Sequence, residues 1–103
     1  ITAVAQQVEA LSLDKLVVDP VMVSRTGAQL IDDAAVTSLR SQLIPLATIV
    51  TPNRYEAQIL SGREIHSLDD MKAAAEDIFH QTTAKAVLLK GGGMPGDVRG
   101  VDV

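Results

Sequence analysis

Three short apolar runs, each ending abruptly in a polar residue, constrain the fold of this chain more than any other feature. They are Leu16-Val17-Val18 before Asp19-Pro20, Thr48-Ile49-Val50 before Thr51-Pro52-Asn53, and Ala86-Val87-Leu88-Leu89 before Lys90-Gly91. Each is too short and too rich in aliphatic and β-branched residues for a helix, and fits a buried strand. Between the runs lie stretches with helical spacing. Strands alternating with helices imply an α/β fold, three layers of α/β/α with a mostly parallel sheet covered on both faces. Ligands of such sheets bind beyond the carboxyl ends of the strands. Asp19, Asn53 with Glu56, and Lys90 are therefore expected on one rim. An acid, an amide–acid pair and a cation together suit a metal-bound phosphate.

Ile1, Val4, Val8 and Leu11 share the face of a first helix that ends near residues 11–13. Residues 16–19 form the first strand, stopped by Pro20, which has no N–H for a ladder. Residues 21–31 read as a loop in which Ser24, Arg25, Thr26 and Gly27 are turn-type or flexible, and loops at this edge of a sheet carry ligand contacts. Asp32 or Asp33 caps the next helix, with Val36, Leu39 and Leu43 inward, Arg40 and Gln42 outward, and Pro45 ending it. The second strand spans 48–51. Asn53 then opens a short helix to about residue 60, with Glu56 completing a capping box and Gly62 closing the helix. Ser67 and Asp70 repeat the capping pattern ahead of a stripe of Leu68, Met71, Ala75, Ile78 and Phe79, running to about residue 81. The third strand spans 84–90, Gly91-Gly92-Gly93 and Pro95-Gly96 mark turns, and Val101 and Val103 begin one arm of a hairpin.

Composition narrows the functional classes. The 103 residues fit one domain or part of one. Aromatic residues are 2% against 47% hydrophobic, so the core must be aliphatic. A net charge of −4 without a basic cluster argues against a nucleic-acid partner. No apolar stretch approaches the roughly 20 residues of a membrane span, and no secretory signal pattern is present. The absence of cysteine removes disulfides and thiolate metal sites and fits a cytosolic protein. Ile1 opens a helical pattern with no capping residue before it, and Val103 follows closely on a strand, so a piece of a larger fold is expected.

Each candidate residue has a chemical and a plainer reading. Asp19 is suited to Mg²⁺, directly or through water, or to accepting bonds from loop N–H groups. Asn53 and Glu56 need no ligand to explain them as a cap. The two readings are compatible, because a helix N-terminus also favours anions, and Glu56 can serve the cap while holding water on a metal. Lys90 either reaches solvent or offsets charge on a transferring phosphoryl group. The glycines after it favour the second reading, because they let backbone approach a ligand closely. They form neither a Walker loop nor a dinucleotide fingerprint. Arg25 reads as a solvated loop charge before a phosphate clamp. His66 and His80 lack metal-ligand spacing and read as surface residues, Met22 and Met94 as packing beside the rim, and Tyr55 as cover for the helix start. No nucleophile–His–acid triad is legible.

Taken together, Asp19-Pro20-Val21-Met22, Thr26-Gly27, Thr51-Pro52-Asn53 with Glu56-Ala57, and Lys90-Gly91-Gly92 resemble the hydroxymethylpyrimidine/phosphomethylpyrimidine kinases, thiamine-biosynthesis enzymes of the ribokinase-like superfamily. The resemblance runs from about Leu16 to Gly93. It implies an ATP- and Mg²⁺-dependent kinase that phosphorylates 4-amino-5-hydroxymethyl-2-methylpyrimidine and then its monophosphate. By that likeness Asp19 and Glu56 lie at the Mg²⁺, through water, Asn53 and Lys90 serve the ATP phosphates, and Val21 lines the pyrimidine pocket. It also implies a cytoplasmic small-molecule enzyme and a homodimer for the full-length parent. Two departures stand out: Arg25 replaces a common Lys, with different geometry, and Gly93-Met94 replaces the His-Leu that often follows Lys-Gly-Gly.

The family's glycine-rich anion hole and catalytic residue are expected C-terminal to this segment, and its pyrimidine-binding strands N-terminal to it. Residues 1–103 are thus expected to be the central to C-terminal-half segment of a single kinase domain, truncated at both ends. Pyridoxal kinase is the near rival, sharing the Asp-Pro-Val-Met and Thr-Pro-Asn themes, although Val23-Ser24-Arg25-Thr26-Gly27 is more similar to the thiamine enzyme. A sugar kinase and a non-catalytic segment that binds nucleotide or a partner chain are the further alternatives. The isolated chain should show no turnover in a coupled kinase assay; measurable turnover would overthrow the reading as an incomplete domain.

Overall fold

Val17–Val18 (β1) and Ile49–Val50 (β2) pair in parallel, with Val17 opposite Ile49 and Val18 opposite Val50. The pairing lies in a computed structural model that describes residues 1–22 and 32–103. Its ladder extends past both strands, because Thr48 N–H donates to the Leu16 carbonyl at 2.8 Å and Thr51 N–H to that of Val18 at 3.0 Å. β1 is shorter than its apolar run because Pro20 lacks an N–H and the Asp19 carbonyl is drawn into a tight turn by Val21 N–H at 2.9 Å. The third run adds to the free side of β2. Val87 bridges Val50 in parallel, flanked by bonds from Val50 N–H to Ala86 (3.1 Å), Leu88 N–H to Val50 (2.9 Å) and Lys90 N–H to Pro52 (2.9 Å). Val103 then returns antiparallel, exchanging both backbone bonds with Leu89 at 2.7 and 2.9 Å. The hairpin arm expected at Val101 and Val103 is thus reduced to this one pair, and Val101 N–H instead donates to the Val98 carbonyl at 3.1 Å.

Among the described residues, four α-helices accompany this sheet: Thr2–Ala10 (α1), Asp33–Ser38 (α2), Arg54–Ser61 (α3) and Leu68–Thr82 (α4). Their starts follow the sequence closely. Asp32, not Asp33, caps α2, its Oδ1 accepting from Ala35 N–H at 2.8 Å. At α4, Ser67 Oγ accepts from Asp70 N–H at 3.1 Å while Asp70 Oδ2 accepts from His66 N–H at 2.9 Å. The His66 bond is the main cause that holds the Asp70 carboxyl below the usual carboxylate range.

Helix interiors depart from the expected stripes in three places. α2 does not run straight to Pro45 but widens into a π turn at Leu39–Leu43 and tightens into a 3₁₀ turn at Ile44–Leu46. Pro45 cannot donate to the carbonyl four residues back and collides with it in α geometry, so the register changes just before it. The change makes Ile44 fully buried in place of Leu43, which is half-buried, and turns Arg40 inward. Arg40 Nη2 donates to the Ile59 and Leu60 carbonyls at 2.7 and 2.9 Å, closing the C-terminal end of α3. In α4 the buried stripe is Met71, Ala74, Ile78 and Thr82, with Phe79 40% exposed. In α1, Ala5 and Val8 are buried while Ile1, Val4 and Leu11 are exposed, because α1 packs against the Leu39–Leu43 turn and not over the sheet.

One aliphatic cluster joins the strands to α2, α3 and α4, from Val18 and Val50 through Ala57, Leu60 and Ile78 to Leu89 and Met94. On the other face of β1, Val17 is 67% exposed, so β1 is covered on one side only. No helix among the described residues is long and apolar enough to cross a membrane.

Gly91 closes the C-terminal loop. Its N–H donates to Asp102 Oδ1 at 2.8 Å, and its carbonyl accepts from Met94 N–H at 3.1 Å and Gly100 N–H at 2.8 Å. A Cβ at Gly91 would overlap the Val101 backbone, whereas one at Gly92 would meet open space. Gly91→Ala should therefore cost about 1–3 kcal/mol in urea unfolding, and Gly92→Ala much less; equal midpoints for the two variants would refute the close approach.

Candidate functional site

The sequence from β2 into α3 builds one wall of the site. Asn53 Oδ1 accepts from Glu56 N–H at 2.8 Å, and Glu56 Oε1 accepts from Asn53 N–H at 2.9 Å, so the capping box is complete. Glu56 also acts beyond its own helix. Its Oε2 accepts from Met22 N–H at 3.1 Å, 34 positions away, and the residue is only 2% exposed. One buried carboxylate thereby ties the exit of the first strand to the exit of the second. Pro20, Pro52, Met22 and Met94 are all buried as well.

The third run, bridged to β2 at Val87, supplies the opposite charge. Lys90 Nζ lies 3.5 Å from Asp19 Oδ1, joining residues 71 apart in sequence. The side chains are 40% and 54% exposed, so the pair is weakly coupled and both heads face water. The rim expected from the three run ends thus exists: Asp19, Asn53 with Glu56, and Lys90 come together there.

An open cleft of about 430 Å³ lies along this rim, lined by Asn53, Tyr55, Lys90, Gly92, Gly93 and Arg99. Arg54 braces it. Its Nε donates to the Ile65 carbonyl at 2.7 Å and its Nη1 to that of Gly93 at 3.4 Å, its Nη2 meets His66 Nδ1 at 3.2 Å, and the guanidinium sits 5.8 Å from the Tyr55 ring centroid. The glycine turn is thereby held against the start of α3. Val21 is 62% exposed beyond Asp19 and is not among the cleft-lining residues. Arg25, Thr26 and Gly27 lie outside the described residues. His66 and His80 are exposed, and among the described residues no three His, Cys, Asp or Glu side chains gather closely enough to hold a metal.

The cleft lining carries two cations and no carboxylate, beside the N-terminus of α3 with its partial positive charge. The place of Arg99 in the lining, and the support given by Arg54 and Asp102 behind it, were not legible: Arg54 looks like a first-turn surface cation, and Arg99 and Asp102 enter only through the fold-back of the tail.

Glu56→Gln tests the wall. The variant replaces one acceptor oxygen by an NH₂ facing a backbone N–H, in a buried place. It should cost about 1–3 kcal/mol of unfolding free energy, and more than Asn53→Ala, which removes one half-buried cap bond at about 1 kcal/mol. A neutral Glu56→Gln would show that the Met22 bond contributes nothing.

Comparison with known proteins points the same way. The chain matches the phosphomethylpyrimidine kinase family over residues 1–103. It is 56% identical over 86 residues to the hydroxymethylpyrimidine/phosphomethylpyrimidine kinase of Synechococcus elongatus, covering 84% of this chain and 32% of that protein. The crystal structure of phosphomethylpyrimidine kinase from Clostridium difficile superposes with a TM-score of 0.84 at 41% identity, covering 91% of this chain and 40% of the other. An ADP complex of Bacillus subtilis pyridoxal kinase superposes at 0.81 with 35% identity, covering 98% and 36%. The chain spans about a third of the length of the curated relatives it matches. The likeness identifies its sheet and helices as part of a ribokinase-like α/β fold. With a match along all 103 residues, this chain belongs to the phosphomethylpyrimidine kinase family.

Proposed function

We propose that the protein carrying this chain is an ATP- and Mg²⁺-dependent kinase of 4-amino-5-hydroxymethyl-2-methylpyrimidine and its monophosphate. The observation that carries the reading is the approach of Lys90 to Asp19 at 3.5 Å, at the mouth of a cleft whose lining is cationic. A cation and a carboxylate side by side, both open to water, are what a magnesium-chelated polyphosphate requires. The relatives named above support the substrate class, and the ADP-bound pyridoxal kinase supports a nucleotide in the cleft.

In this reading the chemistry is positioning and charge neutralisation. Lys90 and Asn53 hold the ATP phosphates: the ammonium offsets their charge, and the amide, fixed by its cap bond to Glu56, orders the wall behind them. Val21, exposed beyond Asp19, meets the pyrimidine. Mg²⁺ favours one or two carboxylates with the rest of its shell from phosphate and water. The residues fit that habit. Asp19 presents a half-exposed carboxylate, while Glu56, with each oxygen already accepting one N–H, is suited to the ion through water. Asp19, and Glu56 through water, would hold the ion, which would supply charge neutralisation at the phosphates. A homodimer and a cytoplasmic location, where ATP is supplied, belong to the same proposal.

Pyridoxal kinase is the second reading, favoured by the 0.81 superposition. Assaying the full-length protein with both alcohols separates the two; a preference for pyridoxal would replace the pyrimidine. In that protein, Lys90→Ala should lower kcat/KM by about 100-fold or more while leaving stability within about 0.5 kcal/mol. Unchanged specific activity alongside a large fall in melting temperature would refute the phosphate role.

A further inference from the structure

We propose that Arg99 is a second phosphate-binding cation of the cleft, holding the polyphosphate chain of a nucleoside triphosphate together with Lys90. The inference rests on the kinase reading above and adds a ligand contact that none of the run-end residues supplies.

Four observations carry it. Arg99 lines the same cleft as Lys90, and these two are the only charged residues in the lining. The other described arginines are committed: Arg40 to the Ile59 and Leu60 carbonyls, Arg54 to those of Ile65 and Gly93, Arg63 to Asp77. The Arg99 guanidinium has no hydrogen-bond or ion-pair partner among the described residues. Its backbone is nevertheless pinned. Arg99 N–H donates to Gly96 at 3.2 Å, and the next residue, Gly100, donates to the Gly91 carbonyl at 2.8 Å. Asp102 holds Gly91 N–H at 2.8 Å, and Val103 locks onto Leu89. The chain is thus bent back so that Arg99 stands beside the glycine turn that follows Lys90.

A planar guanidinium with its donors unused, set on a closed loop beside an ammonium, matches phosphate oxygens in a way a second lysine would not. Lys90 has the Asp19 carboxylate 3.5 Å away, whereas Arg99 has no ion-pair partner among the described residues.

The test is calorimetric titration of the full-length protein with MgATP and, separately, with magnesium tripolyphosphate, which has no base or ribose. Arg99→Gln should weaken both by a similar factor, about 5- to 20-fold, with Arg99→Lys intermediate. Arg63→Gln, which removes a cation outside the cleft, should leave both unchanged. Affinity for the pyrimidine monophosphate should not move. Unaltered MgATP and tripolyphosphate affinities in Arg99→Gln would overturn the assignment, as would a loss confined to ATP or to the pyrimidine monophosphate. Failure of the wild-type protein to bind MgATP would overturn the kinase reading along with it. Because Arg99 is exposed, the variant's melting temperature should match the wild type, and KM for ATP should rise more than kcat falls.

Discussion

The rim of this protein depends on one buried carboxylate. Glu56 is nearly inaccessible, and a charge so placed is tolerated only when its oxygens are occupied by donors. The donors are backbone N–H groups from two different strand exits, Asn53 after β2 and Met22 after β1. Moving either exit would strand a buried charge. The geometry of the two loops is therefore held by electrostatics, while the strands beneath are held by aliphatic packing and the ladder. The capping role and a role near a metal are compatible, because each oxygen accepts one of these bonds and retains further capacity.

Around that carboxylate the other charges are arranged by the sheet's direction. Parallel strands deliver their ends to one edge, so the polar residue following each apolar run arrives at the same place. Lys90 and Asp19 meet in this way although β2 stands between their strands. The third wall has a different origin. It comes from a short antiparallel return at Val103 and from Gly91, where only the absence of a side chain allows the backbone at Val101 to approach. Arg54 then clamps the turn to α3 through main-chain carbonyls, which is why a cleft persists between them.

Local signals in the chain were reliable where the physics is local. The capping box at Asn53, the caps at Asp32 and Ser67 and the left-handed Gly62 depend on residues within a turn of one another, and all are realised. Helix faces were less legible. Periodicity in α1 selected Ile1, Val4, Val8 and Leu11, yet only Val8 of these is buried, because the face that packs is chosen by the neighbouring turn. Arg40 looked like a solvated residue and instead closes α3, since the π turn before Pro45 rotates it inward. In α4 Ala74 is fully buried and Phe79 is 40% exposed, so the face that packs is offset from the one the spacing selected.

The amino-acid order alone determined that strands alternate with helices, that the strand ends share an edge, and that an acid, an amide–acid pair and a lysine stand there. These follow from hydrophobic period and hydrogen-bonding chemistry, which act over a few residues. Tertiary structure decided the rest: that Glu56 reaches Met22, that Lys90 touches Asp19, that Arg54 braces the glycine turn and that Arg99 lines the cleft. Such contacts join residues tens of positions apart, and nothing in a local pattern records which of many charged side chains a closed loop will carry back to the site.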